Sequence, residues 1–174
     1  MTIPIHPAVA TAYKVLEGGQ LTESEALALT GISGVDILDL VSLANKVRDK
    51  FAPKIVPCSI INAKSGVCSQ NCRFCAQSGC HDTGIETYDL LAPEAIVAGA
   101  RKIYDEGVRT YGIVTSGWGY TEATAEFRRI LDAMDGLHRE LPELKICVSI
   151  GILSEETARL LAEHGAWRYN RSEE

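Results

Sequence analysis

The apolar residues of the first fifty positions recur at helical spacing. Thr22 and Glu25 form a capping-box pattern before a short segment that ends near Gly31, which predicts a helix between them. Residues 34–51 have apolar positions three or four apart, which predicts a second, amphipathic helix. Its packed face is predicted to carry Ile37, Leu38, Val41, Ala44 and Val47. Residues 1–52 are therefore predicted to form a helical N-terminal segment.

Strand and helix patterns alternate along residues 53–174, which we predict to be a second domain. Runs rich in β-branched and aromatic residues indicate strands at 55–63, 109–115, 145–150 and 167–170, and helices are predicted to begin near Pro93, Thr121 and Ser154. Such alternation favours parallel pairing through right-handed crossovers, hence an α/β fold. A closed eight-unit barrel takes roughly 250 residues, so this domain has room for about four strand-helix units. If the fold is a barrel, about half of it is present.

Composition and charge narrow the range of partners. The chain is 46% hydrophobic and carries a formal net charge of -6, so it has no overall positive field to attract nucleic acid. The N-terminus lacks the basic start and apolar run of a secretion signal, and no stretch approaches the ~18 apolar residues of a membrane span. We therefore expect a cytoplasmic protein that binds neither nucleic acid nor membranes.

Three of the six cysteines lie close together in the loop after the first predicted strand. Cys68, Cys72 and Cys75 have the spacing C-x3-C-x2-C. Cysteines in the cytosol stay reduced, so a cluster of them indicates metal binding or catalysis. Three thiolates suit a four-iron, four-sulfur cluster with one iron left open, whereas a fourth ligand from Cys80 or His81 would close a structural zinc site. The spacing by itself leaves both sites possible.

The residues around the three cysteines resemble a known family. C-x3-C-x2-C after a first strand is the signature of the radical S-adenosylmethionine superfamily. Within that superfamily, several segments are similar to the biotin synthase family: residues 58–66 (CSIINAKSG), 76–78, 83–88, 114–117, 147–151 and 168–170. The likeness covers nearly the whole chain and is densest between residues 55 and 170.

This resemblance implies a TIM-type (β/α) barrel, of which the chain holds about the first half. Cys68, Cys72 and Cys75 would bind the 4Fe-4S cluster, and its open iron would chelate S-adenosylmethionine, beside residues Thr115, Ser116 and Gly117. The implied reaction is a radical insertion of sulfur into dethiobiotin, which yields biotin. The implied partners are an electron donor such as flavodoxin or ferredoxin and, at full length, a second copy of the chain. The 174 residues alone are expected to be inactive.

The resemblance also implies an auxiliary cluster, 2Fe-2S or a variant of it, that donates the sulfur. Cys147 matches one of its ligands, although Cys147 is also compatible with a buried core cysteine. The usual second-strand ligand of the family falls on Ile113, which cannot bind iron. Cys58 is interpreted as a small buried residue of the first strand.

Two family positions lie at the C-terminal end of the sequence. Asn170 matches a substrate-binding asparagine, but a second such asparagine is replaced by Ser172. Glu174 falls where an acidic residue of the family meets the ribose. The alternatives that stay open are another radical enzyme of the hydrogenase-maturation or methylornithine type and, outside the superfamily, a small structural zinc module.

Overall fold

Short helices form the N-terminal part of the chain. A computed structural model describes residues 5–170 and divides into two units, the first ending at Ile55 and the second beginning at Val56. The first unit contains α1 (Pro7–Ala12), a 3-10 helix (Tyr13–Glu17), α2 (Glu23–Thr30) and α3 (Asp36–Phe51). The predicted positions of Ser172 and Glu174 lie outside the described residues.

The capping box predicted for α2 is confirmed. The Thr22 side chain accepts a hydrogen bond from the Glu25 backbone N–H at 3.3 Å, and the Glu25 carboxylate accepts one from the Thr22 N–H at 2.7 Å. Both bonds satisfy N–H groups that a helix start leaves without partners. The helix is followed by Gly31, as predicted.

The packed face predicted for α3 is wrong except for Val47. Leu38 is 72% exposed and Val41 is 56% exposed, whereas Leu43 is only 4% exposed and is packed with Leu40 and Val47. Leu40, Leu43 and Val47 are also spaced three and four apart, so they satisfy helical periodicity as well as the predicted set does. The apolar arc of α3 is wider than the small core it contacts, and only one edge of it is covered.

A parallel sheet forms the second unit. Its strands are β1 (Ser59–Lys64), β2 (Thr110–Thr115), β4 (Lys145–Ser149) and β6 (Arg168–Tyr169), paired in that order and all parallel. Two further strands, β3 (Gly119–Tyr120) and β5 (Ile152–Leu153), pair as a separate two-stranded sheet. The predicted α/β class is confirmed.

The first strand begins later than predicted. Ile55 and Val56 are 87% and 71% exposed and lie outside β1, which starts at Ser59. Pro57 explains the late start, because proline has no N–H to donate to a neighbouring strand. The β-branched composition that suggested a strand from residue 55 therefore overestimated its length.

Three helices cover one face of the main sheet: α4 (Pro93–Asp105), α5 (Ala125–Glu140) and α6 (Glu155–Glu163). Helix α5 starts later than the predicted Thr121, because the Thr124 side chain caps it by accepting from the Phe127 N–H at 3.2 Å. The buried core between helices and sheet includes Ile96, Ile113, Phe127, Ile130, Met134, Ile146 and Val148. None of the helices in residues 5–170 has the length and apolar content needed to cross a membrane.

Candidate functional site

The loop with the three cysteines follows β1 and is fastened to the sheet edge. Its ends are joined by paired backbone hydrogen bonds between Ser65 and Tyr88. Inside the loop, the Cys68 N–H donates to the Gln77 carbonyl and the Gly79 N–H donates to the Cys68 carbonyl, each at 2.8 Å. These bonds fix the first cysteine at the carboxyl end of the strand, which is the edge where parallel α/β barrels place their active sites.

All three loop cysteines line one cavity. Cys68 is buried, and Cys72 and Cys75 are half-buried. The cavity has a volume of about 600 Å³ and is also lined by residues 114–118, at the end of β2 and in the turn that follows it. Within residues 5–170, no three His, Cys, Asp or Glu side chains are arranged to hold a metal ion. The thiols thus share a cavity without converging on a single point.

The donor set of this cavity fits a cluster with three protein ligands better than it fits zinc. A structural zinc ion takes four protein ligands. Cys80 is exposed, and the His81 ring nitrogen Nε2 lies 3.1 Å from the Cys72 carbonyl oxygen. Neither residue lines the cavity of the three thiols. The two side chains considered for closing a zinc site therefore lie outside the cavity, and the three cysteines line it without them.

The segment from Thr115 to Gly117 lies directly against the cysteine loop. Ser116 donates its N–H to the Lys64 carbonyl at 3.0 Å and is buried, and Gly117 has a φ of 116°, which favours glycine. All three residues line the cavity. The structure thus brings the predicted cofactor-binding segment together with the predicted cluster ligands.

An ion pair that the sequence did not suggest lies beside this segment. Lys64 Nζ is 2.7 Å from Glu126 Oε1, and the Tyr120 hydroxyl donates to the same oxygen. Burial raises the pKa of the Glu126 carboxyl, but the hydrogen bonds from Lys64 and Tyr120 outweigh it and the net pKa is lowered. The Thr115 hydroxyl is buried near Tyr120 and has no hydrogen-bond partner within normal distance. These residues lie on four separate elements, β1, β2, β3 and α5, so no local sequence motif predicts that they meet.

Cys147 lies on the face of the main sheet opposite to the one covered by α4, α5 and α6. It is 8% exposed and lines a cavity of about 380 Å³ with Cys58, Arg168 and Asn170, outside the hydrophobic core. Burial raises the pKa of the Cys147 thiol, the nearby Arg168 guanidinium opposes that rise, and the neighbouring Cys58 adds to it. Cys58 was expected to be buried, and that expectation is wrong, because Cys58 is exposed. It precedes β1, where strand pairing no longer covers it.

The predicted substrate residue Asn170 lines the same cavity. Its N–H donates to the Val148 carbonyl at 2.9 Å, which extends the pairing between β4 and β6 by one residue. Asn170 and Cys147 therefore line the cavity of about 380 Å³, whereas the three loop cysteines line the cavity of about 600 Å³. The two groups of predicted residues do not line a common cavity.

Solved structures of other proteins share this fold. No protein-family model matches the chain. The crystal structure of a methylornithine synthase superposes on 88% of the chain and 44% of its own length, with a TM-score of 0.72 and 24% identity. The FeFe-hydrogenase maturase of Carboxydothermus hydrogenoformans superposes on 92% of the chain and 37% of its own length, with a TM-score of 0.70 and 19% identity. The chain therefore shares the α/β fold of these two proteins, and it corresponds to less than half of each of them.

Sequence similarity to curated proteins is much higher. The biotin synthase of Pelodictyon phaeoclathratiforme is 50% identical over 173 residues, and that of Chlorobium phaeovibrioides is 52% identical over 168 residues. Each alignment covers 95% of this chain and 51% of the relative. The chain is thus a homologue of the biotin synthases, as its motifs indicated, and it spans about half the length of the relatives it matches.

Proposed function

We propose that this chain is the part of a biotin synthase that holds the 4Fe-4S cluster and S-adenosylmethionine. One observation carries the proposal: Cys68, Cys72 and Cys75 line a single cavity with Ser116 and Gly117, at the carboxyl edge of a parallel sheet. The identity of about half of all positions to biotin synthases supports the assignment of the reaction. Its substrate would be dethiobiotin and its product biotin.

The residues of the chain have separable tasks in this proposal. The three thiolates would hold three irons, and the fourth iron, with no further thiol or imidazole among the cavity residues, would be left for the amino acid portion of S-adenosylmethionine. When bound, the reduced cluster supplies the electron that cleaves the sulfonium of S-adenosylmethionine. Backbone groups of residues 115–117 orient that cofactor. Asn170, in the cavity that Cys147 lines, binds dethiobiotin.

The remaining assignments follow from the same proposal. Cys147 serves as a ligand of the auxiliary cluster that donates sulfur. Flavodoxin or ferredoxin delivers the electron, the complete protein forms a homodimer, and the reaction takes place in the cytoplasm. Each of these can be tested on a complete protein.

The test joins this chain to the half of the Pelodictyon biotin synthase that it does not span. The fusion is reconstituted anaerobically with iron and sulfide and assayed with dethiobiotin, S-adenosylmethionine and a flavodoxin system. We expect biotin, and a Cys68→Ser variant is expected to form none. Methionine and deoxyadenosine without biotin would assign the chain to another radical enzyme, and a colourless protein with one zinc would assign it to a structural module. Fusion of the two Pelodictyon halves at the same junction is the positive control.

A further inference from the structure

A glutamine that follows the last of the three loop cysteines is bonded to the chain just before the first one. The Gln77 side-chain oxygen Oε1 accepts a hydrogen bond from the Gly66 N–H at 3.1 Å, and the Ser65 hydroxyl lies 3.2 Å from the same oxygen. The Gln77 backbone carbonyl accepts from the Cys68 N–H at 2.8 Å. Gln77 is half-buried and lines the cavity of the three thiols. One residue therefore joins the two ends of the cysteine loop.

The bond from Gly66 fixes the orientation of the Gln77 amide. A backbone N–H can only donate, so the side-chain atom that faces Gly66 is the oxygen and not the nitrogen. The Ser65 hydroxyl has one proton and lies closer to the Glu86 carbonyl oxygen, at 2.6 Å, than to Gln77. The bond that depends on Gln77 is therefore the one from Gly66.

The next residue, Ser78, ties Gln77 to the rest of the loop. The Ser78 hydroxyl is buried and donates to the Gln70 carbonyl at 2.7 Å, and the Ser78 N–H donates to the Cys75 carbonyl at 3.1 Å. The backbone beside Gln77 is thus held by the segments that carry the second and third cysteines. Its side chain then connects these segments to the start of the loop.

We propose that Gln77 is a positioning residue of the cysteine loop, which holds Cys68 beside the other two cysteines before any cluster is bound. The cluster in this statement rests on the proposed function, whereas the bond from Gly66 to Gln77 does not. Ligands that are already in place lower the cost of ordering that binding otherwise includes. Removal of the Gln77 oxygen should therefore weaken cluster uptake although every cysteine is retained.

The first experiment measures amide hydrogen exchange at single residues in the chain without metal. In Gln77→Met, which keeps the length of the side chain but has no acceptor oxygen, we expect the Gly66 N–H to exchange about tenfold faster relative to the amides of β4. Gln77→Glu keeps the acceptor and should restore the slow exchange. Gln70→Met is the matched control, because Gln70 lines the same cavity and its side chain bonds to the neighbouring Ser69 hydroxyl at 3.3 Å. Equal exchange at Gly66 in all four proteins would overturn the proposal.

A comparison within the unsubstituted chain does not depend on the folding of any variant. Among the residues that the structure describes, the Val67 N–H has no hydrogen-bond partner, whereas the Gly66 N–H donates to Gln77. We expect the Gly66 amide to exchange more slowly than the Val67 amide. Equal protection of the two amides would contradict the bond on which the proposal depends.

Cluster uptake is the second readout. The four proteins are reconstituted anaerobically over a range of iron and sulfide concentrations, and iron per chain and the electron paramagnetic resonance of the reduced cluster are recorded. We expect Gln77→Met to need about tenfold more iron for half-loading, and Gln77→Glu and Gln70→Met to match the unsubstituted chain. Unchanged uptake by Gln77→Met would overturn the proposal. If none of the proteins bound iron but the exchange difference at Gly66 persisted, the proposed function would be refuted and the positioning of the loop by Gln77 would stand.

Discussion

Thr115 and Thr157 allow the same substitution to be tested in opposite environments. Both side chains are buried, at 8% and 0% exposure. The Thr157 hydroxyl donates to the Tyr120 carbonyl at 2.8 Å and accepts from the Ser154 N–H at 3.0 Å. The Thr115 hydroxyl has no partner within normal distance. Replacement by valine keeps the β-branched shape and removes only the hydroxyl, so the two variants isolate the hydrogen bonds.

The two valine variants are expected to change stability in opposite directions. Thr157→Val leaves two polar groups without partners, and we expect the free energy of unfolding to fall by about 1–3 kcal/mol. Thr115→Val removes a hydroxyl that is buried without a bond, whose desolvation costs about 1–3 kcal/mol in proteins, so the free energy of unfolding should rise by about 1 kcal/mol.

Urea unfolding followed by circular dichroism measures both variants against the unsubstituted chain. Opposite shifts of the midpoint at an unchanged slope would agree with the structure. A loss of stability in Thr115→Val would refute the reasoning, since it would show that this hydroxyl has a partner, for which the Tyr120 hydroxyl is a candidate. If Thr157→Val left the free energy of unfolding unchanged, the two hydrogen bonds of the Thr157 hydroxyl would make no net contribution to stability.

Three further substitutions test the packing, the ion pair and a turn of the second unit. Phe127→Ala, at a fully buried position, should lower the free energy of unfolding by about 3–5 kcal/mol in urea titrations. The lowered pKa of Glu126 means that its stabilisation is complete above pH 4.5 and is lost as the pH falls through the folded pKa, so Glu126→Gln should flatten this part of the stability–pH profile. A profile that stays as steep would contradict the ion pair. Gly151 has a φ of 86°, and a Cβ there would overlap backbone atoms of the loop after β2, so Gly151→Ala should cost on the order of 2 kcal/mol or more. Gly84→Ala, at a φ of 61° in open space, is the control and should cost about 1 kcal/mol in the same assay.

Local sequence signals were sufficient for much of the fold. The capping box at Thr22 and the serine cap before α6 each depend on residues within one helical turn, and both are present in the structure. Strand order is also predictable, because alternating strands and helices leave few parallel arrangements. The C-x3-C-x2-C loop was recognisable for the same reason, since its spacing is contained within eight residues.

Other features depend on contacts that spacing alone does not encode. Periodicity could not choose the packed edge of α3, because two apolar sets fit it equally well. Ile113 lies in the hydrophobic core because of its place in the pairing of β2 with β4. Sequence alignment alone had matched it to the second-strand cluster ligand of the family. Cys58 shows the same limit, because its exposure depends on where β1 begins. The pairing of Lys64 with Glu126 spans 62 residues and has no local signature.

Iron content after anaerobic reconstitution tests the central claim most directly, namely that the loop holds a cluster through Cys68, Cys72 and Cys75. Iron and acid-labile sulfide are measured per chain in the unsubstituted protein, in Cys68→Ser and in the control Cys80→Ser. The account predicts that Cys68→Ser loses about four irons per chain and that Cys80→Ser loses none. Equal iron in all three proteins, or a single zinc ion whose binding requires Cys80, would contradict it.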